Sequence, residues 1–274
     1  MTGLAAHYSA RDIEARILAA LRAAGLNPEQ RLTLEELAAL DHFHTGGLRA
    51  SLDLLEAAQF KAGGRILDVG AGLAGPARML AHRLGSHVDC VELSTDYCTG
   101  AALLNRLTGL DGRVAIHEGS ALDMPFPNAT FDGAWMQNVG MNIRDKPRLY
   151  GEIHRVLKPG GRFAFQELAA GATATSHFPL PWATDPADSF LVSGEEMCKL
   201  LGECGFTEGL FEDTSDMHLK RVAEAAARPK ATPHEQAQLG LDVFVDNLSP
   251  KTGNATRSLQ ERQIRLVRGV FLAK

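Results

Sequence analysis

Aromatic residues are scarce in this chain, where Phe, Tyr and Trp make up 6% of 274 residues. Acidic residues outnumber basic ones, the net charge is −5, and no basic cluster is interleaved with aromatics as a nucleic-acid groove requires. No apolar run approaches the roughly 20 residues of a membrane span, and no charged-then-apolar signal pattern opens the sequence. We therefore expect a cytoplasmic protein without a nucleic-acid partner or a membrane span.

Cysteine is also sparse. The four cysteines, at positions 90, 98, 198 and 204, lack Cys-x-x-Cys spacing, which predicts reduced thiols. No cluster of His, Cys and Asp has metal-ligand spacing, so no metal site is expected. The hydrophobic content of 45% suffices for a buried core, and the length suits one large α/β domain with an appended cap.

The most informative segment is residues 65–75, where a short apolar run leads through Asp68 into Gly70, Gly72 and Gly75. This pattern predicts a strand, a tight glycine turn and a helix N-terminus, which together let a bound nucleoside approach the backbone. The next predicted strand ends in Glu92, an acid placed to accept hydrogen bonds from ribose hydroxyls.

Further features follow in a fixed order: residues 67–72, Glu92, residues 119–126, Phe131-Asp132 and residues 155–161. In this order they resemble the class I S-adenosylmethionine (SAM) dependent methyltransferases. The similarity is greatest to the small-molecule branch that contains sarcosine/dimethylglycine and ubiquinone-type methyltransferases. It covers roughly residues 40–215, well over half of the chain.

The resemblance implies an α/β fold, with a Rossmann-like seven-stranded sheet and helices on both faces. Residues 1–60 are expected to form a helical lid, and residues 61–274 the SAM-binding core with a cap at about 214–262. The last strand, near 266–271, is expected to lie antiparallel between the fifth and the sixth. Helices are predicted over 217–228 and 232–248. Lids of this kind can be shared between subunits, which leaves a homodimer open.

The resemblance also implies SAM as cofactor and assigns its contacts. The first loop faces the amino-acid tail, Glu92 holds the ribose, and the turn after the third strand borders the adenine. Position by position, the expected cofactor contacts are Asp68, Gly70, Gly72, Gly75, Glu92, Leu93, Ser120, Ala121, Leu122 and Gln137.

The acceptor is expected beside the end of the fourth strand, where open α/β sheets bind ligands. The polar residues there are amides, so a general base from this loop is in doubt, and Glu167 and His177 remain as candidates. The candidate catalytic residues are therefore Gln137, Asn138, Glu167 and His177. The candidate lid and acceptor residues are Tyr8, His42, Phe43, His44, Gly46, Met141 and Asn142, although each histidine alone could equally be a surface or capping residue.

We expect a transferase that methylates a small molecule. N-methylation of a small amine or natural product ranks first, because the similar branch does this and no obvious base is present. O- or C-methylation of a biosynthetic intermediate is the alternative. Two further possibilities stay open: cyclisation or cleavage of SAM itself, with methylthioadenosine released, and a non-catalytic module that retains the fold.

Overall fold

A computed structural model describes residues 12–172, 176–227 and 248–274. Tyr8 lies outside these ranges, as do residues 228–247 of the expected cap and nearly all of the helix predicted over 232–248. No helix in the described part of the chain is long and apolar enough to cross a membrane.

The centre of the fold is a seven-stranded sheet in the order β3-β2-β1-β4-β5-β7-β6. The strands β1 to β5 pair in parallel, whereas β7 pairs antiparallel with both β5 and β6. The predicted fold class and the position of the last strand are therefore confirmed. The strands are β1 (Arg65–Val69), β2 (His87–Glu92), β3 (Val114–Glu118), β4 (Phe131–Gln137), β5 (Leu157–Ala170), β6 (Phe206–Asp213) and β7 (Ile264–Ala273).

Helices pack around this sheet, and two single-turn 3₁₀ helices, Gly140–Asn142 and Pro186–Asp188, lie in the loops. The described α-helices are α1 (Ile13–Ala23), α2 (Leu34–Asp41), α3 (Gly47–Ala58), α4 (Gly75–Leu84), α5 (Thr95–Thr108), α6 (Lys146–Val156), α7 (Gly194–Glu203), α8 (Ser215–Ala226) and α9 (Leu248–Gln260).

The turn between β1 and α4 needs its glycines. Gly70 and Gly72 have φ values of 68° and 54°, in the left-handed region that residues with a Cβ rarely adopt. A Cβ at Gly70 would also lie 2.5 Å from a methyl carbon of Val139, which follows β4. The turn therefore packs directly against the end of β4, at the edge where the parallel strands finish.

The N-terminal helices are attached to the core by apolar packing. Ile13 and Ile17 of α1 and Leu37 of α2 belong to one buried cluster with Leu73 of the glycine turn and Tyr97 of α5. Helix α2 begins at a capping box formed by Thr33 and Glu36. Helix α3 packs against the sheet itself and contributes to the cluster around Trp135.

A further layer, separate from the N-terminal helices, covers the edge of the sheet where the parallel strands finish. Residues 176–193, here called the cover, connect β5 to α7, and α9 lies beside them before β7. Trp182 of the cover and Leu259 of α9 belong to one apolar cluster, which also includes Met141 and Ile264. The cover is thus an ordered layer with its own core.

Candidate active site

A cavity of about 1130 Å³ opens at the carboxyl ends of the parallel strands, between the loop 42–46, the cover and α9. It is lined by fifteen of the predicted site residues. These are Asp68, Gly70, Gly72, Glu92, Leu93, Ser120, Ala121, Leu122, Gln137, Asn138, Phe43, His44, Gly46, Met141 and Asn142.

Glu92 occupies one end of this cavity in a fixed orientation. The backbone N–H of Gly72 donates to its Oε2 at 2.9 Å, and that of Ser94 donates to Oε1 at 2.9 Å. Burial raises the pKa of Glu92, while these two donors act in the opposite direction. The carboxylate is therefore positioned by backbone donors, and Glu92 lines the cavity.

Asp68 lies in the same end of the cavity and is almost fully buried. Its Oδ2 has no hydrogen-bond partner within the described structure. Burial raises its pKa to about 8, and the nearby charge of Glu92 acts in the same direction. A buried carboxyl oxygen without a donor is costly, so this site favours a cationic ligand group.

The remaining walls of this end are apolar or small. Leu93 is 39% exposed, and residues 120–122 form the turn after β3, with the N–H of Leu122 donating to Oγ of Ser120 at 3.1 Å. The Phe43 ring lies over the glycine turn, because a Cβ at Gly72 would come within 2.7 Å of its Cζ.

A closed set of hydrogen bonds joins the loop 42–46 to the end of β4. Trp135 Nε1 donates to Gln137 Oε1 at 3.0 Å, which fixes the amide orientation because indole is only a donor. Ser51 Oγ donates to the same oxygen at 2.9 Å, and His44 Nε2 lies 2.9 Å from Ser51 Oγ. Burial lowers the pKa of His44 to about 3, so the ring is neutral.

Asn138 and Gln166 hold the same loop by way of Thr45. Asn138 Nδ2 donates to Thr45 Oγ1 at 2.8 Å, and Gln166 Nε2 donates to the carbonyl oxygen of Thr45 at 2.7 Å. Asn138 has a φ of 54°, which turns the chain sharply after β4. Thr45 and Ser51 stand in no recognisable sequence motif, so neither was predicted as a site residue.

Two predicted residues near the first loop do not line the cavity. Gly75 instead lets α2 approach, because a Cβ there would lie 2.5 Å from the carbonyl oxygen of Asp41. Asp41 in turn accepts from Nη2 of the buried Arg78 at 2.7 Å. His42 is buried with Nδ1 3.1 Å from Ser51 Oγ, so its role is to support His44 rather than to face a ligand.

Glu167, expected as a base candidate, is also outside the cavity. Its carboxylate accepts from the backbone N–H groups of Val139 at 2.8 Å and Gly140 at 3.0 Å. Burial raises its pKa to about 7. Lys146 donates to the carbonyl oxygens of Gly140, Ile143 and Phe190. The carboxylate holds the loop after β4, so in this geometry it is not placed to take a proton from a ligand in the cavity.

His177, the other base candidate, connects the cover to α9 and the segment after it. Its Nε2 lies 2.7 Å from Oε2 of Glu261, and its backbone N–H donates to Ser258 Oγ at 2.9 Å. It does not line the cavity. The ring therefore links the cover to Glu261 and is not placed to take a proton from an acceptor.

Comparisons with known proteins agree with this geometry. The family described as a methyltransferase domain matches residues 67–165, which run from β1 into β5. The chain is 41% identical over 115 residues to 24-methylenesterol C-methyltransferase 2 of Oryza sativa subsp. japonica, covering 42% of this chain and 31% of the relative. It is 34% identical over 163 residues to the glycine/sarcosine/dimethylglycine N-methyltransferase of Actinopolyspora halophila, covering 58% and 29%.

The chain thus spans about a third of the length of these two curated relatives. Phosphoethanolamine N-methyltransferase 2 of Haemonchus contortus, solved with SAM, superposes with a TM-score of 0.70 at 21% identity, over 88% of this chain and 57% of that one. Residues 67–165 thus match the methyltransferase-domain family, and the fold is shared with solved SAM-dependent methyltransferases.

Proposed function

We propose that this protein binds SAM at the carboxyl ends of β1 and β2 and transfers its methyl group to a small-molecule acceptor. The observation that carries the proposal is the buried Asp68 Oδ2, which lacks a donor beside the glycine turn and Glu92. The ammonium of an amino-acid tail would supply that donor. Glu92 would accept from the ribose hydroxyls, and Leu93 would pack on the adenine.

When bound, SAM supplies an electrophilic methyl group on a sulfonium. The protein's contribution is to hold the acceptor atom in line with that methyl at about 3 Å. His44, Gln137 and Asn138 line the cavity beyond the glycine turn, and their side chains are held by one another and by the loop 42–46. The loop 42–46 on one side and the cover with α9 on the other border this part of the cavity.

N-methylation is the reaction that we favour. Neither Glu167 nor His177 lines the cavity, and His44 is a weak base because burial lowers its pKa to about 3. A neutral amine needs no base within the site, whereas a phenol or a carbon acid has to lose a proton during the reaction. O- and C-methylation remain the alternatives that the acceptor identity would decide.

The test is to incubate the purified protein with SAM and a metabolite extract and to follow nucleoside products by mass spectrometry. We expect S-adenosylhomocysteine to form only with an acceptor, together with a species 14 Da heavier. Glu92→Ala should weaken S-adenosylhomocysteine binding by about 1.5–3 kcal/mol, the worth of a charged hydrogen bond. Methylthioadenosine formed without an acceptor, or unchanged affinity of the variant, would contradict the proposal.

A further inference from the structure

We propose that the acceptor is an uncharged molecule whose bulk is hydrocarbon and whose single polar end carries the reacting atom. The inference rests on the methyl transfer proposed above and specifies the substrate class of the same site. Four observations support it: the uncharged faces of the two elements over the outer cavity, the apolar floor beneath them, the distribution of charge, and the size of the cavity.

Helix α9 turns one face towards the cavity. The residues that line it recur at helical spacing, one turn apart, so they form a single stripe. No charged side chain interrupts this stripe. Its members are Leu248, Thr252, Ala255, Thr256 and Leu259.

The cover contributes Pro181, Trp182 and Phe190 to the opposite wall. The indole N–H of Trp182 donates to Ser189 Oγ at 2.9 Å, within the cover itself. Its hydrogen-bonding capacity is therefore used, and the ring offers the cavity an apolar surface. The side chains of this wall suit hydrocarbon.

Met141, Leu168 and Ile264 complete the outer cavity from below. All three are buried, and they share one apolar cluster with Trp182 and Leu259. The floor and both walls are thus continuous with a packed core, which predicts a chamber that keeps its shape when an apolar ligand enters.

Charge is nearly absent from this chamber. Among the described residues that line the cavity, the only arginine or lysine is Arg144, which is exposed and stacks its guanidinium 4.5 Å from the Phe190 ring centroid. His218 lines the cavity near Gly46, and burial lowers its pKa. A carboxylate or diphosphate on the acceptor would therefore lose its hydration without a buried cation in return.

Among the described residues that line the cavity, the buried carboxylates lie near the glycine turn and not in the outer chamber. Asp145 is exposed, and its Oδ1 accepts from the N–H of Arg148 at the start of α6. Asp41 is paired with Arg78, whereas Asp68 and Glu92 lie at the cofactor end. The neutral polar groups are concentrated where the methyl is delivered, at His44, Gln137, Asn138 and Asn142.

The size of the cavity agrees with a second, bulky ligand. A typical pocket for one drug-sized ligand holds roughly 300–1000 Å³. The cavity here measures about 1130 Å³ and includes residues from the first strand to the last. A two-carbon amino acid would leave most of the outer chamber empty.

The experiment titrates the protein, saturated with S-adenosylhomocysteine, with straight-chain alcohols from butanol to dodecanol by calorimetry. We expect the dissociation constant to fall roughly fourfold for each added methylene until the chamber is full. Decanoate and decylammonium should bind at least tenfold more weakly than decanol, and sarcosine should not compete. A flat chain-length series, or tighter binding of sarcosine or decanoate, would overturn the inference.

Ala255→Trp fills the chamber from α9, and Gln260→Trp adds the same bulk at an exposed position of the same helix that does not line the cavity. We expect the first variant to weaken decanol binding at least tenfold and the second to leave it within twofold. Binding of S-adenosylhomocysteine should be unchanged in both. Equal effects of the two variants would contradict the chamber.

The two proposals fail in different ways. If wild-type protein does not bind S-adenosylhomocysteine, the methyltransferase function fails, and the acceptor class fails with it. If the nucleoside binds and the alcohols show no chain-length dependence, only the acceptor class is wrong. The alcohol series on the wild-type protein decides this whether or not the variants fold.

Discussion

Replacing Asp68 with Asn tests most directly whether the charge of this carboxylate, beside the glycine turn and Glu92, contributes to cofactor binding. The side chain is buried, its Oδ2 has no partner in the described structure, and its pKa is raised to about 8 by burial and by Glu92. Near neutral pH this carboxyl is therefore mostly protonated in the ligand-free protein. An ammonium beside it would favour the ionised form, so ligand binding and proton release are coupled.

The magnitude follows from two quantities. A charged hydrogen bond contributes about 1.5–3 kcal/mol, which corresponds to a drop of about 1 to 2 pKa units on binding. With a starting pKa of about 8, this linkage tightens S-adenosylhomocysteine binding by roughly sixfold to thirtyfold between pH 6 and pH 8. Asp68→Asn removes this pH-dependent contribution to binding, so the dissociation constants of the variant and the wild type should be most similar at pH 6.

The assay is calorimetric titration of both proteins at pH 6, 7 and 8, in two buffers of different ionisation enthalpy. We expect the ratio of the two dissociation constants to grow with pH, and wild type alone to release part of a proton at pH 7. Any pH dependence left in the variant reports Glu92, whose pKa burial also raises. A ratio that stays constant from pH 6 to pH 8 would refute the reasoning.

Three further substitutions test the support of the site. Because burial raises the pKa of Glu167 from 4.5 to about 7, the folded state loses stability as pH rises between these two values, and Glu167→Gln should flatten the fall of Tm between pH 5 and 7 in scanning fluorimetry. Gly75→Ala puts a Cβ 2.5 Å from the carbonyl oxygen of Asp41 and should loosen S-adenosylhomocysteine binding, whereas Gly151→Ala, with open space around it, should not; equal constants would contradict this. Ser51→Ala leaves buried partners unsatisfied and should cost about 1–3 kcal/mol of unfolding free energy in urea titrations, and a loss below 0.5 kcal/mol would count against the network.

The sheet and the cavity residues at the ends of β1 and β2 could be predicted because the sequence patterns that indicate them are local. The spacing of Gly70, Gly72 and Glu92 sits within one strand–turn–helix–strand unit, and all three residues line the cavity. The packing of Gly75 against Asp41 was not readable, because it depends on where α2 returns to the core.

The part of the cavity proposed for the acceptor, around Gln137 and α9, was harder to predict because its contacts are distant in sequence. Gln137 meets Ser51 and His44 across 86 and 93 positions of sequence, and no spacing rule joins them. Helix α9 was missed because Pro250 and Gly253 interrupt its sequence, although a proline is tolerated in a first helical turn. Its cavity-facing stripe therefore had no recognisable periodicity before the fold was known.

Glu167 and Lys146 explain how the acceptor end keeps its shape. The carboxylate takes backbone N–H groups of the loop after β4, and the ammonium takes carbonyl oxygens of the same loop and of the cover. Burial moves the two pKa values towards each other, to about 7 and about 8, so both groups carry their charge at a cost. The hydrogen bonds that both groups make with the backbone compensate this cost, and they orient the loop that carries Asn138, Met141 and Asn142. Two buried charges that each hold backbone groups fit the proposed methyl transfer, in which the protein positions the acceptor and does not take a proton from it.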